Sequence, residues 1–596
     1  MARYLITLSL GPVQSLIGAA RRTRDLWSGS WLLSEVSRAA ARVLHQAQPG
    51  CLIFPAPQDP GRELAPRDRP GDTANIANVL RAEVEGDADR VRALCAAAKA
   101  AANANLRERG EVIRRELPGL RDAQWDAQIG DLLEAFAAWA PIHDGDYAAA
   151  SERLGATLAA RKATRDTGPA LGQGAGLPKS ALDGAFETVL PEKPPARLVR
   201  QLALHGGEQL DALGVIKRQG GEVGQFTAYT RLAADTWIER LGVPERQRLA
   251  AAYEPLVDQG LATRISGNQG LYGDLPYDAQ LLYDFRLAAA RGQARQDEDG
   301  AALAALQHLE GELRAVTKAA GGGPVPYAVI LQADGDRMGE LLGRAGSAGE
   351  SRDISRALHA FASTVPGIVR AHRGHAIYAG GDDVLALLPL VGTVAAAQAL
   401  AAAFQAHLGP VAARLGLAAD QAPTLSVGLG IGHVVEPLGK LRDRALRAEK
   451  LAKGDDRPPR ERRNALGILL GIRSGGEIPW RGRWDAPQAL AELLSDVSAY
   501  ERRELPSRVA YDLRDIHRRL AWLGADAGAT ATGMRRAEVA RMLERARTRG
   551  DAPLLPEHRK DLLRRAAETP LDRLADTLII ARWLAARTQG DVENTQ

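Results

Sequence analysis

The chain has 596 residues, 45% hydrophobic and 25% charged, with a formal net charge of +4 and a pI near 9.0. That length exceeds what one core holds and points to roughly four units of about 150 residues each. The two cysteines, Cys51 and Cys95, exclude a disulfide framework and suit a reducing cytoplasm; no apolar run is long enough to cross a bilayer, so no membrane is expected.

The opening run Tyr4 to Leu10 mixes Leu and Ile with Thr and Ser and meets Gly11-Pro12. It predicts a buried strand, because a signal peptide needs a longer apolar stretch and a small-residue cleavage site. A helix loaded with Arg21, Arg22 and Arg24 follows. His143-Asp144 is an isolated dipeptide that reads as a turn or helix cap. Gly/Pro-rich breaks at Pro191–Pro195, Gly321–Pro326 and Gly475–Pro479 divide the chain into units 1–195, 196–322, 323–476 and 477–596.

In the third unit, Tyr327 to Ala333 predicts a buried strand, followed by Asp334-Gly335-Asp336 and a helix opening near Met338. A helix over Ile354 to Ala371 sets Leu358, Phe361, Val365, Ile368 and Val369 at helical spacing, interrupted only by Pro366. Then comes Tyr378-Ala-Gly-Gly-Asp-Asp-Val-Leu-Ala-Leu-Leu388. Here Ile377–Ala379 and Val384–Leu388 pair as a hairpin over Gly380 and Gly381, both able to take positive backbone angles, with Asp382 and Asp383 at the tip. Helix (Thr393–Leu415), strand (Thr424–Ile431), helix (Leu438–Lys453) and strand (Ala465–Ile472) complete a βαββαβ succession, the order of a ferredoxin-like palm.

In such a sheet the first strand neighbours the central hairpin, so Asp334 or Asp336 approaches Asp382 and Asp383. Carboxylates held that close repel, and a hard divalent cation such as Mg2+ removes the penalty while leaving coordination positions for phosphates. Gly-Gly and Asp are also ordinary hairpin material, which is the structural alternative. Lys453 ends its helix either within reach of a triphosphate or simply solvated at a helix C-terminus. The basic clusters Arg457–Arg463, Arg535–Arg549 and His558–Arg565 are mixed with acids and read as solvated faces. Trp480, Trp484, Trp522 and Trp583 read as helix packing.

Gly11-Pro12-Val13-Gln14, Ala20-Arg21-Arg22-Thr23-Arg24-Asp25-Leu26-Trp27, Gly29-Ser30, Pro178 to Gly184, Arg462 to Leu466 and the Gly-Gly-Asp-Asp hairpin together resemble one family. It is the large polymerase/cyclase-like subunit of type III CRISPR effector complexes, in its Cmr (type III-B) branch. The resemblance is strongest over 1–35 and 325–475 and weak over 200–310. It implies an α+β fold: two ferredoxin-like palms, an intervening helical domain and a C-terminal helical domain. It also implies a cytoplasmic signalling subunit in antiviral defence, activated by target RNA complementary to its crRNA and assembled with the other Cmr subunits. Its second palm would be a nucleotidyltransferase that converts ATP to cyclic 3'-5' oligoadenylate and pyrophosphate.

By that resemblance Asp334, Asp382 and Asp383 hold Mg2+ or Mn2+, with Gly380, Gly381, Asp336 and Lys453 around the nucleotide. The arginine helix would face guide RNA, a neighbouring subunit or nucleotide phosphate. Diguanylate cyclases share the palm, but in them the two glycines are followed by Asp or Glu, then Glu and Phe, unlike Asp382-Asp383-Val384. Two departures from the family are expected: no zinc, because no cysteine follows Cys95, and no HD nuclease, because the first palm starts near Met1. The alternatives are a cyclase making another adenylate or dinucleotide messenger, and a catalytically silent scaffold.

Overall fold

The computed structural model describes residues 2–67, 76–164, 174–204, 206–220, 227–265, 271–473, 476–523, 528–548 and 550–593. Met1, Gly475 and Arg549, which end three of the expected segments, lie outside them.

The first sheet holds β1 (Arg3–Gly11), β2 (Leu52–Phe54), β3 (Val79–Glu85) and β4 (Glu134–Ile142) in the order β2-β3-β1-β4, with β1 antiparallel to both neighbours. Side chains alternate across a strand, so Ile6, Leu8 and Leu10 face one way. They pack on α1 (Thr23–Ala47) and α2 (Ala88–Glu116). The opposite face buries Leu5, Ala138 and Ala140 under α3 (Tyr147–Ala163). The turn before α3 contains His143, whose carbonyl accepts from Asp146 N at 2.9 Å, and Asp146 caps the helix. The same core continues past Pro195 to Leu198, Leu202 and Ile216, the last on α4 (Ala212–Gln219).

The arginine segment is turned inward. Arg22 is the N-cap of α1 and Asp25 accepts from the backbone N–H groups of Arg21 and Arg22, each at 3.0 Å. Buried Arg218 bridges Asp25 and Glu208, both at 2.7 Å. Arg22 bonds the Ala203 carbonyl and Arg24 the Gly220 carbonyl. Arg22 and Arg24 thus clamp the chain to itself. Arg21 is exposed, 3.7 Å from Glu208, and Arg22 and Arg24 are partly buried.

Helices between Tyr229 and Ala319 have their own core, including Trp237, Tyr253, Leu306 and Val316. The second sheet follows: β5 (Tyr327–Asp336), β6 (His375–Gly380), β7 (Asp383–Pro389), β8 (Thr424–His433), β9 (Ala465–Gly471) and β10 (Glu477–Arg483), ordered β10-β9-β8-β5-β7-β6. Its β8-β5-β7-β6 portion repeats the order of the first sheet read as β4-β1-β3-β2. Both are the ferredoxin-like arrangement. One face is covered by α5 (Ala348–Ala371) and α6 (Thr393–Arg414), whose Phe361, Val365 and Phe404 meet Val329, Leu331 and Ala386. The other face turns Ile330, Ile377, Leu385 and Leu387 into the first palm's core.

Most boundaries fall within two residues of expectation, and two differ by more. β5 continues through Asp336 instead of stopping at Ala333, because its ladder with β8 runs on to Asp336↔Thr424. α5 begins at Ala348 instead of Ile354, since Ser347 caps it by accepting from Glu350 N at 3.2 Å.

The remaining helices, from Gln488 to Glu593 and including α8 (Arg508–Arg519), share the second palm's core through Leu493, Leu513 and Leu578. Trp480 and Trp583 are buried and Trp484 packs against the same core. Trp522 does not: it is 75% exposed, which corrects the packing expectation for that residue. It lies in the short helical turn Ala521–Leu523 after α8. Among the described residues no helix is long and apolar enough to cross a membrane.

Candidate active site

The site forms where β5 ends beside the β6–β7 turn. The β5–β7 ladder pairs Ala333 with Val384, so the next pair in register brings Asp334 opposite Asp383. Asp334 and Asp383 therefore share the sheet face that looks toward the first palm, in line with Ile330 and Leu385. Asp382 sits in the turn between them. A Cβ on Gly335 would stand 2.7 Å from the Asp382 Cβ, so only glycine at 335 lets the turn close onto β5.

The turn uses its glycines unequally. Gly381 takes φ 78°, the left-handed region a tight hairpin needs. Gly380 is the last residue of β6, pairs with Asp383 and has no positive φ, which corrects the expectation that both bend the chain. Its role is spatial: a Cβ there would meet the Tyr378 hydroxyl at 1.9 Å.

From the other side α7 (Leu438–Lys453) lies directly on β8, where a Cβ on Gly428 would meet Glu449 N at 2.1 Å. That close seat carries Lys453 and Glu449 to the carboxylates. Lys453 Nζ donates to Asp334 and forms an ion pair with Glu449, whose Oε1 lies 2.9 Å away. Burial pulls the ammonium's pKa down, but its bonds to the two carboxylates outweigh that and hold it above the ordinary value. Of the two readings left open for Lys453, the solvated helix end is the one the geometry rejects.

Asp336 is two residues beyond Asp334 on the same face but belongs to a different layer. It is fully buried and accepts from Thr424 Oγ1 at 2.8 Å, Ser426 Oγ at 2.9 Å and Asn464 N at 3.1 Å. Burial raises its pKa. It ties β5 to β8 and to the Arg462–Leu466 segment and does not join the hairpin carboxylates.

The electrostatics mark the trio out. Asp382 is pushed up to about 6, chiefly by desolvation and then by Asp334. Asp383 is raised further, by desolvation, by its hydrogen bond with Asp334 and by the charge of Asp382. Desolvation followed by these two carboxylates also raises the buried Tyr378 phenol. Carboxylates crowded and desolvated in this way favour a neighbouring cation, and their hard oxygen donors fit a hard divalent one. Among the described residues no group of three or more His, Cys, Asp or Glu side chains is arranged to hold a metal ion. Lys453 and the hydrogen bond between Asp334 and Asp383 compensate the charge instead.

The sequence reading missed Glu449, Thr424 and Ser426. Glu449 precedes Lys453 by one helical turn, which puts both on one face and was a usable signal. Thr424 and Ser426 alternate on a strand like any exposed polar pair, and only the sheet order shows that they face Asp336.

Comparison with known proteins agrees with this layout. A family model described as Cas10/Cmr2, second palm domain, matches residues 327–466, and one described as CRISPR-associated protein Cmr2, N-terminal, matches residues 5–111. A chain of the type III-B Cmr-beta apo state, solved by cryo-EM, is similar with a TM-score of 0.61 at 12% identity, over 93% of this chain and 78% of that one. A chain of type III-B Cmr-beta bound to cognate target RNA gives a TM-score of 0.58 at 12% identity, over 91% and 78%. A Csm1-Csm4 cassette in complex with cA4 gives 0.46 at 13% identity, over 98% and 70%. No curated protein matches the chain.

Proposed function

We propose, for a chain that belongs to the Cas10/Cmr2 family of type III CRISPR effector large subunits in its Cmr branch, that the second palm joins ATP into cyclic 3'-5' oligoadenylate when the assembled complex binds target RNA. In that reaction the ribose 3'-hydroxyl of one nucleotide attacks the α-phosphorus of another, and pyrophosphate and the hydroxyl proton leave. The observation that carries the reading is the meeting of Asp334, Asp382 and Asp383 across β5 and the β6–β7 turn, with Lys453 bonded to Asp334.

Asp334, Asp382 and Asp383 would hold Mg2+ or Mn2+. Such ions, when bound, lower the pKa of an attacking hydroxyl and neutralise a leaving pyrophosphate. The protein contributes placement. Gly335 and Gly380 keep the carboxylates close, and Gly381 closes the turn without a side chain over the nucleotide. Lys453 balances Asp334 and offers its ammonium to an incoming triphosphate, exchanging one anion for another. Asp336 braces the strand that carries Asp334. The partners on this reading are the other Cmr subunits, crRNA, complementary target RNA and ATP.

The ion pair of Lys453 with Asp334 favours a second reading: a scaffold subunit in which lysine permanently neutralises the carboxylate. The two readings separate in one experiment. Purified complex incubated with ATP, Mg2+ and matching target RNA yields RNA-dependent adenylate products by mass spectrometry on the first reading and none on the second. Asp382→Ala with Asp383→Ala lowers product by at least on the order of 10²- to 10³-fold and leaves assembly unchanged.

A further inference from the structure

β4 is the outermost strand of the first sheet, and its outer edge carries an unused hydrogen-bonding row. The β1–β4 ladder runs without a bulge from Arg3↔Ile142 to Gly11↔Glu134. Leu10 fixes which groups point outward. Its N–H goes to the Asn78 carbonyl at 2.9 Å and its carbonyl accepts from Asn78 Nδ2 at 3.0 Å, both away from β4. Its ladder partner Ala135 must therefore turn its own N–H and C=O to the free edge, since opposed residues of an antiparallel pair bond each other or both face outward. By alternation Ala137, Trp139 and Pro141 do the same, and the Pro141 carbonyl accepts from Arg153 at 3.1 Å. Among the described residues no backbone group pairs with Ala135, Ala137 or Trp139 on that edge.

The composition of this edge is equally telling. Ala135 to Ile142 is eight apolar residues in a row, with no charge and no bulge, and only Pro141 near the end. Natural sheets protect a long apolar edge with lysines, bulges or a covering element, because an open one pairs with whatever strand it meets. The surroundings are cationic. A groove of about 670 Å³ runs between α2 and the start of β4, lined by Lys99, Asn103 and Arg107 opposite Leu133 and Ala135. On the opposite face Arg161 lies over the Phe136 ring at 5.4 Å.

We infer that the free edge of β4 accepts an added strand from a partner protein, an extended segment whose alternate side chains are acidic and lie in the Lys99–Arg107 groove. A nucleic acid would satisfy the cations but offers no ladder of N–H and C=O groups, so the backbone row selects a polypeptide. The inference rests on the reading that this chain works inside an assembly.

Amide hydrogen exchange on the full-length chain, alone and in the reconstituted type III-B complex, tests it. The Ala135, Ala137 and Trp139 amides are expected to slow by roughly 100-fold or more on assembly, while Ala138 and Ala140, already bonded to β1, change little. Ala137→Pro removes an outward N–H without touching the β1 ladder and weakens entry into the complex roughly tenfold or more, as does Lys99→Glu combined with Arg107→Glu. A synthetic peptide of alternating Glu and Val residues protects the same three amides in the free chain. The inference is overturned if those amides exchange equally fast in the complex, or are already slow in the free chain at every concentration, which would mean that the chain covers its own edge. Protection that appears only as the free chain is concentrated assigns the edge to a second copy and also overturns it. So does a charge reversal that costs RNA binding and leaves protein assembly intact. A complex that makes adenylate product with β4 still unprotected sinks this inference alone, whereas an assembled, protected complex without product sinks only the proposed activity.

Discussion

The two palms share a strand order and differ in chemistry. In each, the first strand lies between the third and the fourth, so the end of β1 occupies the place in its sheet that the end of β5 occupies in the other. β1 ends in Ser9-Leu10-Gly11 and β5 in Asp334-Gly335-Asp336. The second and third strands are joined by the two-residue turn Gly381-Asp382 in the second palm, and by the long connection from Pro55 to Asn78 in the first. The fold thus supplies a convergence point twice, and among the described residues β5 and the β6–β7 turn bring three aspartates to it. On the proposed reading, function rests on about half a dozen residues laid on a repeated scaffold.

That contrast can be broken at the glycines. Gly335→Val forces a Cβ against Asp382, and it is expected to cost roughly 1–3 kcal/mol of stability and about 100-fold in product formation by displacing the carboxylate. A change at the last residue of the first palm's first strand, Gly11→Ala, meets only Val13 N at 3.5 Å, an ordinary contact, and leaves both thermal midpoint and product near the unmodified values. Equal losses from the two would mean that the second turn is no more specialised than the first.

A smaller effect is expected at Lys453. Lys453→Met removes the cation shared by Asp334 and Glu449, and product formation falls roughly 10- to 100-fold while the chain keeps its unfolding midpoint within error. On the scaffold reading there is no product for the substitution to lower. Smallest is Ser426→Ala, which strips a donor from the buried Asp336 and costs about 1–3 kcal/mol in urea unfolding, with turnover following stability only.

Much of this was legible before any coordinates. Periodicity located the strands and helices of the second palm, and the βαββαβ order placed Asp334 or Asp336 beside the hairpin. What was not legible depended on packing across distant segments. The separate duties of Gly380 and Gly381 follow from where the Tyr378 ring lies, which strand alternation does not reveal. Asp334 and Asp336 are equivalent by sequence pattern, and only the position of β8 distinguishes a carboxylate at the site from one buried under Thr424, Ser426 and Asn464. The arginines of α1 carried the composition of a polyanion surface, yet Arg218, Glu208 and Asp25, brought in from two separate segments, draw them inward. Trp522 failed in the opposite sense, because a tryptophan in a helical region carries no mark of which turn leaves it exposed.

The central claim is that one palm, and not its twin, gathers carboxylates able to hold cations beside a nucleotide. Titration of Mn2+ followed by electron paramagnetic resonance, on the full chain with a non-hydrolysable ATP analogue, addresses it directly. The account predicts tight Mn2+ binding that Asp334→Asn, or Asp382→Asn with Asp383→Asn, removes, while Gly11→Ala in the first palm leaves it unchanged. Tight binding that survives both sets of asparagine substitutions would contradict it.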